Sequence, residues 1–112
     1  MQELRTTCRA TVDARGVVVL VLARPDRHNA FSMVMVREID ELLRWAGALP
    51  EVRALILRAE GKHFSAGADL ADMQAMAAAD RQENLDDAVR LAKMLRRLDT
   101  FPRPVLAVVQ GA

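Results

Sequence analysis

The chain contains no tyrosine, one tryptophan and three phenylalanines. So few rings leave little with which to stack nucleobases. Charge of one sign is also missing: 16 Lys and Arg balance 15 Asp and Glu, for a formal net charge of +1. No long-range field would gather phosphates, which argues against a nucleic-acid protein despite the local basic cluster Arg90, Lys93, Arg96 and Arg97. The single cysteine, Cys8, cannot form an internal disulfide and fits a reducing compartment. No apolar run approaches the length of a membrane span, and the opening "MQELRTTCRA" lacks the apolar centre of a signal peptide. These absences together predict a cytoplasmic protein without membrane contact. Internal repeats and low-complexity tracts are absent as well.

What remains is a globular composition. The 112 residues are 52% apolar and 28% charged, which suits one domain with a modest core. Thr11 and Val12 lead into Asp13-Ala14-Arg15-Gly16, a turn in which glycine can take a positive φ. The β-branched run from Val17 to Ala23 reads as a strand buried on both faces and completes a hairpin. "RPDRHNAFS" is a loop, and Ser32 is placed to cap a helix over 33–49. Met35, Ile39, Leu42 and Ala46 form its apolar face, and Gly47 and Pro50 end it.

The run Arg53 to Ala59 predicts a further strand. Strand, helix and strand in this order form a parallel βαβ unit, so the fold class is α/β. Helices are expected from about Asp69 to Met76 and from about Asp80 to Leu98. The second carries an apolar stripe of Leu85, Val89, Ala92 and Leu95, and an Asp86–Arg90 pair at i,i+4. Val105 to Val109 reads as another buried parallel strand, whose free edge and uncovered face would be liabilities.

The most unusual stretch is "GKHFSAGADLADM", residues 61–73. Small residues, Ser65 to Ala68, bring a nearly bare backbone to the start of a helix. First-turn N–H groups there have no internal partner, and the helix dipole favours negative charge. Such an amide can stabilise a developing oxyanion, to the extent of about 2.7–4 kcal/mol at a transition state. The plainer reading is a tight turn at Gly67 with Asp69 capping the helix. Residue chemistry alone leaves both open.

"GKHFSAGADL" resembles the signature of the crotonase superfamily, the enoyl-CoA hydratase/isomerase family. "VLARPDRHNAFS" resembles its first CoA-binding loop, "ALILRAEGKHFSAGADL" its strand and oxyanion loop, and "FPRPVLAVVQGA" its next strand. The resemblance implies a crotonase-like ββα spiral fold, of which residues 1–112 would be the N-terminal part, a hairpin plus parallel βαβ units. It implies that the backbone N–H of Ala68 is one of two oxyanion donors and that the Ala66 carbonyl accepts from the adenine of CoA. Gly67, Asp69 and Leu70 would complete and shape that loop. Arg27 would lie near CoA phosphates, with Asn29 and Ala30 supporting the adjoining backbone. No prosthetic group or metal is implied, since coenzyme A enters as part of an acyl-CoA thioester substrate.

Against these roles, Arg27 could be merely solvated, Asn29 could only brace its loop, and His28 and His63 read as polar surface residues. Asp69 reads as a cap, Asp72 and Glu83 as solvated, and Met73 and Met76 as packing residues or acyl contacts. The family's second donor and its catalytic glutamates would follow residue 112. The expectation is therefore a fragment without turnover of its own, from a parent that hydrates a 2-enoyl-CoA. The closest resemblance is to methylglutaconyl-CoA hydratase-type members of leucine or terpenoid breakdown. Isomerase, dehalogenase or hydrolase chemistry would use the same half-site, and a homo-oligomer, trimer or hexamer, is implied for the parent. A non-catalytic acyl-CoA-binding or interaction fragment is the rival reading.

Overall fold

The computed structural model describes residues 1–111. A short strand that the sequence did not announce, β1 (Gln2–Leu4), pairs antiparallel with β2 (Cys8–Val12). β2 in turn forms the expected hairpin with β3 (Val17–Leu22), in a register that runs from Cys8 opposite Leu22 to Val12 opposite Val18. Gly16 makes the turn with φ +81°, and any Cβ there would collide with the Glu51 carbonyl.

The chain then crosses through helix α1 (Met33–Gly47), and the Ser32 hydroxyl accepts from the Met35 amide at 3.1 Å, as its sequence position predicts. Met35, Ile39, Leu42 and Ala46 are all buried, joined by Val36 and Leu43. Strand β4 (Ala54–Ala59) returns parallel to β3. Aliphatic residues of β3, α1 and β4, chiefly Val18, Leu20, Leu22, Met35, Leu42 and Leu55, form the centre of the core. β3 was expected to be buried on both faces, but Val17 and Val19 are only half-buried. They point away from α1 by the period of two, and no helix covers that side as fully.

Helices α2 (Leu70–Ala78) and α3 (Arg81–Asp99) precede a final short strand, β5 (Val105–Ala107), parallel to β4. The sheet order is β1-β2-β3-β4-β5, a mixed sheet with an antiparallel half and a parallel half. Two expectations fail here. β5 ends at Ala107 rather than Val109, and Val105, Leu106, Val108 and Val109 are exposed instead of buried. The strand lies at the sheet edge with a partner on one side only, and among the described residues nothing shields its faces. The predicted stripe on α3 is likewise exposed at Leu85, Val89, Ala92 and Leu95. Met94 is buried instead, because α3 meets the core through its contact with α1.

Ion pairs correct two further points. Arg90 donates to Asp87 at 2.8 Å, while Asp86 accepts from Gln82. Arg97 reaches Asp40 on α1 at 2.6 Å. Two cations of the basic cluster, Arg90 and Arg97, are thus paired within the chain. No described helix is long and apolar enough to cross a membrane.

One buried acid was not foreseen. Glu38 of α1 is almost fully enclosed, and its carboxylate accepts from the amides and hydroxyls of both Thr6 and Thr7, at 3.1 and 2.8 Å for Thr6 and 2.8 and 2.5 Å for Thr7. It ties α1 to the turn between β1 and β2. Burial pushes this carboxyl up, but the combined donors from Thr7 and Thr6 prevail and hold it below the usual carboxylate range.

Candidate functional site

The loops that follow β3 and β4 meet at the C-terminal ends of these parallel strands, where open α/β sheets place their ligands. The first loop makes a single 3₁₀ turn, Pro25–Arg27. His28 and Asn29 follow with φ of 51° and 53°. Two successive left-handed residues reverse the chain, and asparagine tolerates this better than most side chains.

Asn29 is fully buried beneath the site. Its Oδ1 accepts from the Arg24 amide at 2.8 Å, and its Nδ2 donates to the carbonyls of Glu60 at 2.8 Å and His63 at 2.9 Å. One side chain thereby closes the first loop on itself and fastens it to the second. Its expected part as a loop brace is what the contacts display.

The second loop then runs beside the first. The Ala66 amide donates to the His28 carbonyl at 2.9 Å, the Phe31 amide to the Gly67 carbonyl at 2.7 Å, and the Asp69 amide to the Phe31 carbonyl at 3.1 Å. The Gly67 amide is taken by Ser65 Oγ at 3.1 Å, and that hydroxyl donates to the Asn29 carbonyl. Phe31 and Ala68 form an isolated parallel bridge.

Among the described residues, the Ala68 amide has no acceptor. Peptide geometry explains this. The Ala68 N–H shares a plane with the Gly67 carbonyl and points the opposite way. Because that carbonyl faces Phe31, the N–H is directed away from the first loop. The Ala66 carbonyl is freed by the same logic, since its plane partner, the Gly67 amide, turns to Ser65. Gly67 has φ +88°, and a Cβ there would meet nothing within 4 Å, so glycine is needed for its dihedral and not for space.

The free amide borders a cleft of about 430 Å³, lined among others by Arg27, Ala30, Ala66, Ala68, Asp69 and Leu70. Asn29 lies below it, and Gly67 turns the loop without lining it. Leu70 is 74% exposed, and Arg27 is exposed with no ion pair among the described residues. A larger hollow of about 950 Å³ surrounds the hairpin turn, Asp13 to Gly16, and Pro50 to Arg53, at the other ends of the strands.

Asp69 caps α2. It accepts from the Asp72 amide at 3.1 Å through Oδ1 and from Arg24 at 3.2 Å through Oδ2. The Asp72 amide, aided by the Arg24 guanidinium and opposed by burial, holds its carboxyl below the usual range. Both its oxygens are thereby engaged in the cap and the ion pair.

Two residues of the site were missed. Arg24 donates to the Ala30 carbonyl at 2.8 Å as well as to Asp69. Asp72, expected in solvent, accepts from the Met33 amide at 2.5 Å and so satisfies an orphan N–H at the start of α1. The only sequence signal for Asp72 was that this amide needed an acceptor. His28 and His63 pack ring edge to face with centroids 4.7 Å apart. Only His28 borders the cleft, and neither meets a carboxylate among the described hydrogen bonds.

Comparison with known proteins gives the family and the fold. The enoyl-CoA hydratase/isomerase family matches residues 13–112. An enoyl-CoA hydratase structure from Shewanella pealeana superposes with a TM-score of 0.91 at 42% identity, covering 95% of this chain and 40% of that one. An enoyl-CoA isomerase/hydratase of Mycosarcoma maydis is 34% identical, covering 91% of this chain and 39% of its own length. A trans-2-decenoyl-[acyl-carrier-protein] isomerase of Streptococcus mutans is 35% identical, covering 87% and 37%. The chain thus spans about two fifths of the length of the relatives it matches.

Proposed function

The chain belongs to the enoyl-CoA hydratase/isomerase family, with a crotonase-type α/β fold, and from that premise we propose that it holds an acyl-CoA thioester with its carbonyl oxygen on the Ala68 amide. The observation that carries the reading is that this amide borders the cleft without an internal acceptor among the described residues. A peptide N–H has no side chain to titrate, so it would donate to an enolate oxygen over a wide pH range.

In the reaction we favour, water adds across the Cα=Cβ bond of a 2-enoyl-CoA. Charge collects on the thioester oxygen as an enolate, and the fixed N–H stabilises that charge more than it stabilises the neutral carbonyl. The free Ala66 carbonyl would accept from the adenine amino group, Arg27 at the rim of the cleft would meet a CoA phosphate, and Asn29, Ala30, Gly67, Asp69 and Leu70 would set the loop geometry. Coenzyme A enters as part of the substrate and no prosthetic group is required. A branched, methylglutaconyl-like acyl group fits the motif resemblance, and the relatives' names keep isomerisation beside hydration. Residues 1–112 would act as the N-terminal part of a longer domain. The exposed apolar residues of α3 and β5 would be covered there or in a homo-oligomer, trimer or hexamer, of the cytoplasmic parent.

A second reading, binding without turnover, is favoured for the 112-residue chain by the state of its acids. Asp69 and Asp72 are both committed to helix caps, which leaves no free carboxylate among the lining residues of the cleft other than Asp26. Calorimetry with an acyl-CoA and with free CoA tests both readings. We expect the thioester to bind more tightly and to remain unhydrated. Ala68→Pro removes the N–H without breaking an internal hydrogen bond, and should weaken thioester binding by about tenfold, the worth of one net hydrogen bond, while free CoA is unaffected. Equal affinity for CoA and thioester in the unmodified chain would sink the oxyanion reading. Hydration by the purified chain at the rate of a complete enzyme would sink the second.

A further inference from the structure

We propose that Arg24 is the positioning residue of this site, a guanidinium clamp that sets the direction of the Ala68 amide through the two loops it joins. The proposal rests on the acyl-CoA reading for its functional consequence, and on geometry alone for the clamp. The Arg24 side chain is largely buried, with 19% exposed, between the first loop and the start of α2. Its Nη1 donates to the Ala30 carbonyl at 2.8 Å and its Nη2 to Asp69 Oδ2 at 3.2 Å. Its backbone takes part too: the Arg24 amide donates to Asn29 Oδ1, and the Arg24 carbonyl accepts from the Asn29 amide at 2.9 Å.

These contacts bracket the functional amide. Ala30 immediately precedes Phe31, whose amide fixes the Gly67 carbonyl and hence the plane of the Ala68 N–H. Asp69 immediately follows Ala68, and its own amide donates to the Phe31 carbonyl. Arg24 therefore grips the residue before Phe31, which takes part in both rungs, and Asp69, which forms the second rung. The planar fork of arginine has two donors at fixed separation, so it can serve a carbonyl and a carboxylate at once. Lysine carries its donors on a single nitrogen and lacks the fork, so it cannot reproduce both contacts at their present separation. Arg24 itself borders no part of the cleft, so it acts through the loops rather than on the ligand.

Arg24→Lys separates positioning from general stability, because it keeps the charge and most of the buried stem. Amide hydrogen exchange on the full chain should quicken at Phe31 and Asp69 by tenfold or more while the β3 and β4 amides keep their protection. Acyl-CoA affinity should fall by about tenfold. Arg97→Ala, which removes a different inter-element ion pair with Asp40, should change neither the Phe31 and Asp69 exchange nor the affinity. Unchanged exchange at Phe31 and Asp69 in Arg24→Lys would overturn the clamp. So would a loss of protection spread evenly over the whole sheet, which removal of a merely structural arginine would produce. If the unmodified chain binds no thioester, the functional reading falls, yet the exchange result still decides what Arg24 does.

Discussion

Asn29→Ala should lower the unfolding free energy by about 3–5 kcal/mol and abolish acyl-CoA binding. The side chain is fully buried and makes three hydrogen bonds, so its loss strands the Arg24 amide and the carbonyls of Glu60 and His63. Each stranded buried group costs about 1–3 kcal/mol, partly relieved where water can enter. Position 29 also sits at φ +53°, where alanine carries a steric cost of about 1–2 kcal/mol that asparagine eases by local hydrogen bonding. Asn29→Gly relieves the dihedral and keeps the lost bonds, so it should recover about 1 kcal/mol of the deficit but none of the binding. Chemical denaturation measures the first effect and titration with a thioester the second. A loss below about 1 kcal/mol would mean that the loops are held together by their backbone ladder and not by this amide.

Glu38→Ala should be of similar size, about 3–5 kcal/mol, by leaving the two buried donors of Thr7 without their acceptor, while the donors of exposed Thr6 turn to water. Against a typical domain stability of about 5–15 kcal/mol, that approaches unfolding. Glu38→Gln should recover only part of it, because its amide nitrogen would turn a donor toward other donors.

The acid also predicts a pH dependence. Its folded-state pKa lies below the ordinary value, since the donors from Thr7 and Thr6 together outweigh burial. Its stabilising contribution is therefore complete above the unfolded glutamate value, about 4.3, and is lost as pH falls through the depressed folded value. Asp69 and Asp13, also depressed, lose their contributions in the same direction. Denaturation midpoints should fall as pH drops below about 4, and less steeply in Glu38→Gln. A pH profile identical in the two proteins would show that Glu38 is not the group responsible.

Local patterns carried much of the architecture. The β-branched run became β3, the Ser32 cap and the 3.6-residue apolar period became α1, and the order of elements gave the parallel half of the sheet. Where an expectation depended on what covers an element, it failed. The stripe on α3 and the run at β5 were read as buried because they are apolar, but apolar residues are buried only where something packs on them. β1 was missed because three residues with one half-buried position carry no period to detect. Glu38 and Arg24 were missed because their partners lie far away in sequence, and a lone charge reads as solvent-facing until the donors or acceptors around it are known.

The small-residue stretch Ser65 to Ala68 and the glycine at its centre determined, without any coordinates, that a bare backbone would stand at the start of a helix. Which of its amides would be left over was decided only by the fold. The first loop arrives alongside and takes the Gly67 carbonyl, together with the amides of Ala66 and Asp69, and peptide planarity then sends the Ala68 N–H the other way. Backbone flexibility is a property a residue carries with it; an unpaired donor is a remainder, defined only after every neighbour has chosen its partner.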